Sequence, residues 1–145
     1  MKENIRTNGT LQLVVEDIVA GTKKVFEEKN KIVNNGLQSV AKLIGGDATA
    51  MPISQIGFGD GTGATVGTET QLTNQFLKNI DSVVFPTSNK AQFNFSLGAN
   101  ECNGLTITEL GLFTTDGALF SRKDRSPIIK TSSVIITGIW TITIN

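Results

Sequence analysis

The sequence has no histidine, no tyrosine, one cysteine and three prolines in 145 residues. Without His it lacks the commonest general base and metal ligand. With Cys102 as its single thiol, zinc sites of the Cys/His kind, Cys–His nucleophiles and intrachain disulfides are excluded. An excess of either charge is missing too: 13 Lys and Arg balance 13 Asp and Glu. A polyanion binder draws its affinity from clustered Lys and Arg that release phosphate counterions, so no nucleic-acid partner is expected. No window approaches the ~18 consecutive apolar residues of a membrane-spanning helix. The opening Met1-Lys2-Glu3-Asn4-Ile5-Arg6 has no apolar core of a signal peptide. A soluble protein made in the cytoplasm, with no membrane partner, is expected.

What replaces charge is small polar residues: 18 Thr, 12 Asn, 9 Ser and 15 Gly. Thr favours strands, whereas Asn and Gly favour tight turns. The bias predicts a mainly β protein, and the length fits one domain. Thr10 to Glu16 and Lys23 to Glu28 read as the strands of an N-terminal hairpin turning near Ala20-Gly21. Charges at its tip and outer face (Glu16, Asp17, Lys23, Lys24, Glu27, Glu28) discourage pairing with a stray strand. One helix is expected over Asn34 to Ile44, with Val33, Leu37, Val40 and Ile44 along one face. Asn34 or Asn35 would cap its start and Gly45-Gly46 would end it, while Gly36 weakens it.

Beyond the helix, strands are expected at Ile53 to Phe58, Phe76 to Phe85, Ala91 to Leu97, Leu105 to Phe113, Ala118 to Ser121, Pro127 to Lys130 and Val134 to Ile144. Leu105 to Phe113 carries apolar residues on both faces, as a central strand does. Asp116-Gly117 between apolar runs is a hairpin signal. Gly59 to Glu69 reads as a Gly/Thr-rich loop with little apolar area to order it, mobile or held by a partner. Arg122 to Arg125 reads as a charged loop. The architecture expected is an antiparallel β-sandwich with one short amphipathic helix packed on it, in a single domain spanning 1–145. Within it, residues 1–29 form the hairpin and residues 30–145 the sandwich.

Few residues offer chemistry. Gly57-Phe58-Gly59-Asp60-Gly61-Thr62-Gly63 lacks the one-three-six glycine spacing of a dinucleotide cradle, and no Gly-Lys-Ser/Thr follows it. Asp60, Asp116 and Asp124 sit at expected turns, where a short carboxylate caps backbone N–H groups. Glu109 lies in an apolar strand and needs a partner if buried, from Arg122, Lys123 or Arg125; a structural ion pair, Glu109 with Arg122, is the reading adopted. No second carboxylate completes a glycosidase pair, and no serine has a triad around it. Nothing near Cys102 lowers its pKa, and Glu101 acts the other way. The aromatics Phe76, Phe85, Phe93, Phe95, Phe113, Phe120 and Trp140 follow strand periodicity and are assigned to the core. No catalytic residue, cofactor or metal is expected.

Two segments carry a likeness. Ile56-Gly57-Phe58-Gly59-Asp60-Gly61, followed by Thr70-Gln71-Leu72-Thr73-Asn74-Gln75, resembles the "GDG … QT-x-L-x-N-E" pattern of bacteriophage tail-fibre and tail-collar fibre attachment domains. Ile107-Thr108-Glu109-Leu110-Gly111-Leu112-Phe113, then Asp116-Gly117-Ala118-Leu119-Phe120-Ser121-Arg122, resembles their "I-x-E-x-GLF-x-x-DG-x-L-x-A" segment. The likeness runs from about Asn30 to Ile144, with Gln75 where the family has Glu. Tail fibres of this kind continue into a shaft and a receptor-binding tip. This sequence ends at Asn145, so the virion-attachment part alone is expected.

The resemblance implies a non-enzymatic structural component of a phage or phage-like tail, baseplate or neck, located in the virion. Its partners would be other tail, baseplate or neck proteins, an adaptor for fibres being one such role. It would also assemble with copies of itself, as a trimer or a ring of six. The candidate contact residues are Leu11, Leu13, Val15 and Val25 of the hairpin, Asp60, Gly61, Thr62 and Gly63 of the glycine-rich loop, and Arg122, Lys123 and Arg125. The alternative is a small β-sandwich module that recognises a host surface glycan or a peptide.

Overall fold

The computed structural model describes residues 7–145; the first six, part of the expected hairpin unit, lie outside the described residues. Nine strands and one helix follow one another as β1 (Thr7–Asp17), β2 (Thr22–Ile32), α1 (Asn34–Gly45), β3 (Ile53–Gly59), β4 (Phe76–Asn79), β5 (Ser82–Val84), β6 (Lys90–Leu97), β7 (Thr106–Thr114), β8 (Leu119–Ile129) and β9 (Val134–Ile144). All neighbours pair antiparallel, in the order β4-β3-β7-β8-β2-β1-β9-β6-β5. The two halves of this sheet meet only where Lys31 and Ile32 of β2 pair with Arg122 and Ser121 of β8. At that narrow joint the sheet doubles over. Phe58 of one half and Phe95 of the other meet edge to face with ring centroids 6.0 Å apart, so the halves form two facing layers.

The core between the layers follows strand alternation. Along β9, Ile136, Trp140 and Ile142 point inward, and along β6 so do Phe93, Phe95 and Leu97. Gly138 lies in the same inward row because the Phe95 ring occupies the space where its side chain would be. The fully buried Trp140 still satisfies its indole, donating from Nε1 to Asn30 Oδ1 at 2.9 Å. Strand β7 is interior to its half and buried on both faces from Glu109 to Thr114, as its sequence predicts. The Asp116-Gly117 turn closes with Gly117 at φ 86° and Thr114 N–H donating to the Ala118 carbonyl at 2.9 Å.

Several expectations change. Phe76 to Phe85 is not one strand. It divides into β4 and β5, which lie at opposite edges of the sheet. The break falls at Ile80 and Asp81, whose N–H groups donate to Ser54 in one half and Asn94 in the other. Arg122 to Arg125 is not a loop but the interior of the 11-residue strand β8, its arginines neutralised by partners rather than by water.

The helix packs on the sheet through only part of its expected apolar stripe: Val33 is buried and Val40 packs against the core, but Leu37 and Ile44 do not. Leu37 and Ile44 are exposed, Ile44 to 80%, and contact is made through buried Gly36 and half-buried Val40. A Cβ at Gly36 would collide with the Phe120 carbonyl oxygen, so glycine sets how closely α1 approaches β8. No asparagine side chain caps the helix. Val33 is the cap residue, and Asn34 N–H donates instead to the Gly67 carbonyl at 2.8 Å. Gly46 ends the helix at φ 71°, as expected. No helix among the described residues is long and apolar enough to cross a membrane.

Candidate functional site

The residues that drew interest in the sequence converge on one carboxylate. Glu109 projects from β7, buried, beneath the loop that leaves β3. Its Oε2 accepts from Arg122 Nε on β8 at 2.7 Å, the two residues lying near the register Glu109↔Asp124 and Gly111↔Arg122 of that ladder. Its Oε1 accepts two backbone bonds, from Gly61 N–H at 3.0 Å and from Thr73 N–H at 2.6 Å. Thr108 beside it donates to the Gly61 carbonyl at 2.6 Å. One carboxylate thus ties the Gly59-Asp60-Gly61 turn, the Leu72-Thr73-Asn74 segment and strand β8 together.

The glycines there serve proximity. A Cβ on Gly61 would come within 2.5 Å of Glu109 Oε1, and one on Gly59 within 2.6 Å. Neither glycine needs a left-handed backbone, so space alone selects them. Asp60 N–H donates to the Thr73 carbonyl at 3.0 Å, and Asn74 Nδ2 donates to the Asp60 carboxylate at 3.1 Å. The two halves of the first motif are therefore stitched side by side.

Arg122 carries the ties onward. Its Nη1 donates to the Gly63 carbonyl at 3.0 Å and to Thr65 Oγ1 at 2.8 Å, and lies 3.9 Å from Asp124 Oδ1. Asp124 accepts from Thr65 N–H and Oγ1, both at 3.2 Å. Burial tends to raise the Asp124 pKa, but the bonds from Thr65 and from its own backbone, with the Lys123 charge, together hold the carboxyl below its ordinary value. Glu69 closes the loop's far end on Val66 and Gly67 N–H at 2.6 and 2.8 Å. The loop expected to be mobile or held by a partner is held from within.

The candidate residues fall into groups accordingly. Glu109 and Arg122 are brought together, and Asp60, Gly61 and Gly63 join them. Thr62 is exposed at the loop tip. Leu11 and Leu13 are corrected: both are core residues, 1% and 0% exposed, because they occupy the inward row of β1. Arg122 is likewise turned inward rather than toward a neighbour. The Arg125 side chain is 2% exposed, with Nη2 3.2 Å from Glu28 Oε1 and its guanidinium 4.7 Å from the Phe26 ring centre. Lys123 and Val15 are half-buried, and Val25 is 57% exposed.

Chemically, the Glu109 centre is a clamp. Both oxygens are engaged by donors and the charge is matched by Arg122, which leaves the carboxylate committed to holding backbone. Cys102 adopts φ 58°, and burial pushes its thiol pKa up, with Lys130 opposing and Glu101 adding.

A second feature escaped the sequence reading. An apolar groove of about 650 Å³ lies between α1 and the outer strands, lined by Val40, Leu43, Ile53, Phe85, Phe93 and Ile142 among others. Phe85, assigned to the core from its periodicity, is 75% exposed at this groove. It lies just past β5, a strand of only three residues at the sheet's end, so no second layer covers it. Leu43 of the helix, left exposed by docking through Gly36, lines the groove on its other side. The chain matches no protein-family model, and comparison with curated proteins and with solved structures finds no match.

Proposed function

We propose that the protein is a structural component of a bacteriophage or phage-like tail, baseplate or neck, acting through protein–protein contacts with other virion proteins and with copies of itself. The observation that supports this reading is the Glu109 clamp. The two segments resembling tail-fibre and tail-collar fibre attachment domains lie far apart in the sequence, and Glu109 of the second binds Gly61 and Thr73 of the first. The motif residues therefore form one built unit rather than two coincidental turns. The exposed groove beside α1 adds an apolar surface of the kind that docks a neighbour.

Recognition of a host glycan calls for exposed aromatics beside carboxylates. Phe85 is exposed, but among the described residues the lining of its groove contains no Asp or Glu. Apolar docking fits that surface better. Sedimentation of intact particles through a sucrose gradient, followed by detection of this chain, tests the proposal. The chain is expected to travel with assembled tails at a fixed copy number. Recovery solely in the free-protein fractions, or binding of the purified chain on a glycan array, would overturn it.

A further inference from the structure

Strand β2 pairs with β1 along its whole length, from Thr22 to Asn30, but on its other side β8 reaches only Lys31 and Ile32. Along Thr22 to Lys29 every second residue therefore turns its N–H and C=O away from β1. Among the described residues no hydrogen bond meets them there. The Arg125 guanidinium reaches from β8 to Glu28 and the Phe26 ring, side chains on the inner face of β2 opposite buried Leu11 and Leu13. The result is an open sheet edge from Thr22 to Lys29, with Lys23, Lys24, Val25 and Glu27 all exposed.

We propose that this edge pairs antiparallel with the β2 edge of a second copy of the chain, about a twofold axis normal to the sheet at Val25. Such an axis keeps each side chain on its own face, so directly opposed residues must have the same inward or outward sense. With the axis at Val25, Lys23 faces Glu27 of the second copy, Val25 faces Val25, and Glu27 faces Lys23. On the inner face Lys24 meets Phe26 and Thr22 meets Glu28. Both outward charge pairs are opposite in sign, and exposed Val25 covers its own counterpart at the centre.

The neighbouring registers are blocked by the same residues. Moving the axis to Lys24 sets that lysine against itself, and moving it to Phe26 sets Lys23 against Lys29 and exposed Val25 against Glu27, while Lys24 then meets only a Glu28 already engaged by Arg125. Like charges directly opposed destabilise a ladder. The charge pattern that repels a stray strand is thus self-complementary in one alignment, which makes the contact selective. This pairing goes beyond the virion role and does not depend on it.

Sedimentation-velocity runs over a wide concentration range, on the wild type, Lys23→Glu, Glu27→Lys, the double variant and an equimolar mixture of the two single variants, test the proposal. The wild type is expected to form a reversible dimer. Each single reversal alters two symmetry-related pairs and is expected to weaken the dimer by about tenfold or more. The double variant restores opposite charges and is expected to regain wild-type association. The mixture is expected to form heterodimers, because at the paired positions 23 and 27 one variant then presents two carboxylates and the other two ammonium groups. Both substituted sites are exposed, and unchanged circular dichroism and melting confirm that the variants fold. A wild type that stays monomeric at every concentration, association that the single reversals leave unchanged, or a double variant that fails to recover would overturn the proposal.

Discussion

Replacing Glu109 with alanine is the perturbation that the Glu109 clamp should feel most. The substitution leaves Arg122, buried on β8, without its 2.7 Å carboxylate partner. Removing one member of a buried ion pair costs about 3–5 kcal/mol, because the remaining charge cannot reach water. The N–H groups of Gly61 and Thr73 also lose their acceptor. Thr73 is exposed and Gly61 half-buried, so water can replace part of that loss. Arg122 therefore sets the scale, and a loss of about 4 kcal/mol is expected. At about 2–4 °C per kcal/mol for a domain near this size, the melting temperature should fall by roughly 8–16 °C. Urea unfolding gives the free energy directly, and limited proteolysis should show new cleavage between Gly59 and Glu69. Replacing both partners, Glu109→Leu with Arg122→Met, removes the stranded charge and should cost clearly less than Glu109→Ala. A loss below about 1 kcal/mol for Glu109→Ala, as for an exposed salt bridge, would refute the reasoning.

Other outcomes follow from the same contacts. Gly36→Ala should destabilise by about 1–3 kcal/mol in urea unfolding, since crowding against the Phe120 carbonyl outweighs the gain of about 1 kcal/mol in helix propensity. The Lys78 side-chain bond at 2.8 Å, with Gly98 N–H, holds the Glu101 carboxyl below its ordinary 4.5. A depressed carboxyl contributes stability that is full above 4.5 and is lost as pH falls through the folded value. Lys78→Met should therefore raise the Glu101 pKa in an NMR titration and shrink the acid-side loss of stability. Cys102, its thiol pushed up by burial, should react slowly with a thiol reagent near pH ~8 in the folded protein and rapidly once unfolded.

Strand alternation makes most of the fold legible. Val134 to Ile144 appears in the structure nearly as the sequence reads, because it has one buried row, and Ile53 to Phe58 is likewise a strand, buried on both faces from Ile56 onward. Glu109 is identifiable as a carboxylate in an apolar run, and Arg122 is among the cations within reach. What the sequence hides is distance. Nothing local reveals that Gly61 and Thr73 both lie against Glu109, so a loop poor in apolar area reads as free when distant side chains hold it. The helix misleads in part for a related reason: Val33 and Val40 of its apolar stripe pack inward, but docking through Gly36 against β8 leaves Leu37 and Ile44 exposed. Arg122 to Arg125 reads as a loop because four charges in a row seldom lie inside a strand, unless each arginine finds a carboxylate, as these do. Leu11 and Leu13 read as contact residues because a hairpin alone has no second layer; in the folded chain one covers them.

The central proposal is that this chain is a tail component that meets its neighbours through exposed surfaces such as the apolar groove beside α1. A cryo-EM reconstruction of intact tails tests it most directly. The expected result is density for this chain at symmetry-related positions, with neighbouring subunits packed on at least one of those surfaces. A complete map in which no density fits the chain would contradict it.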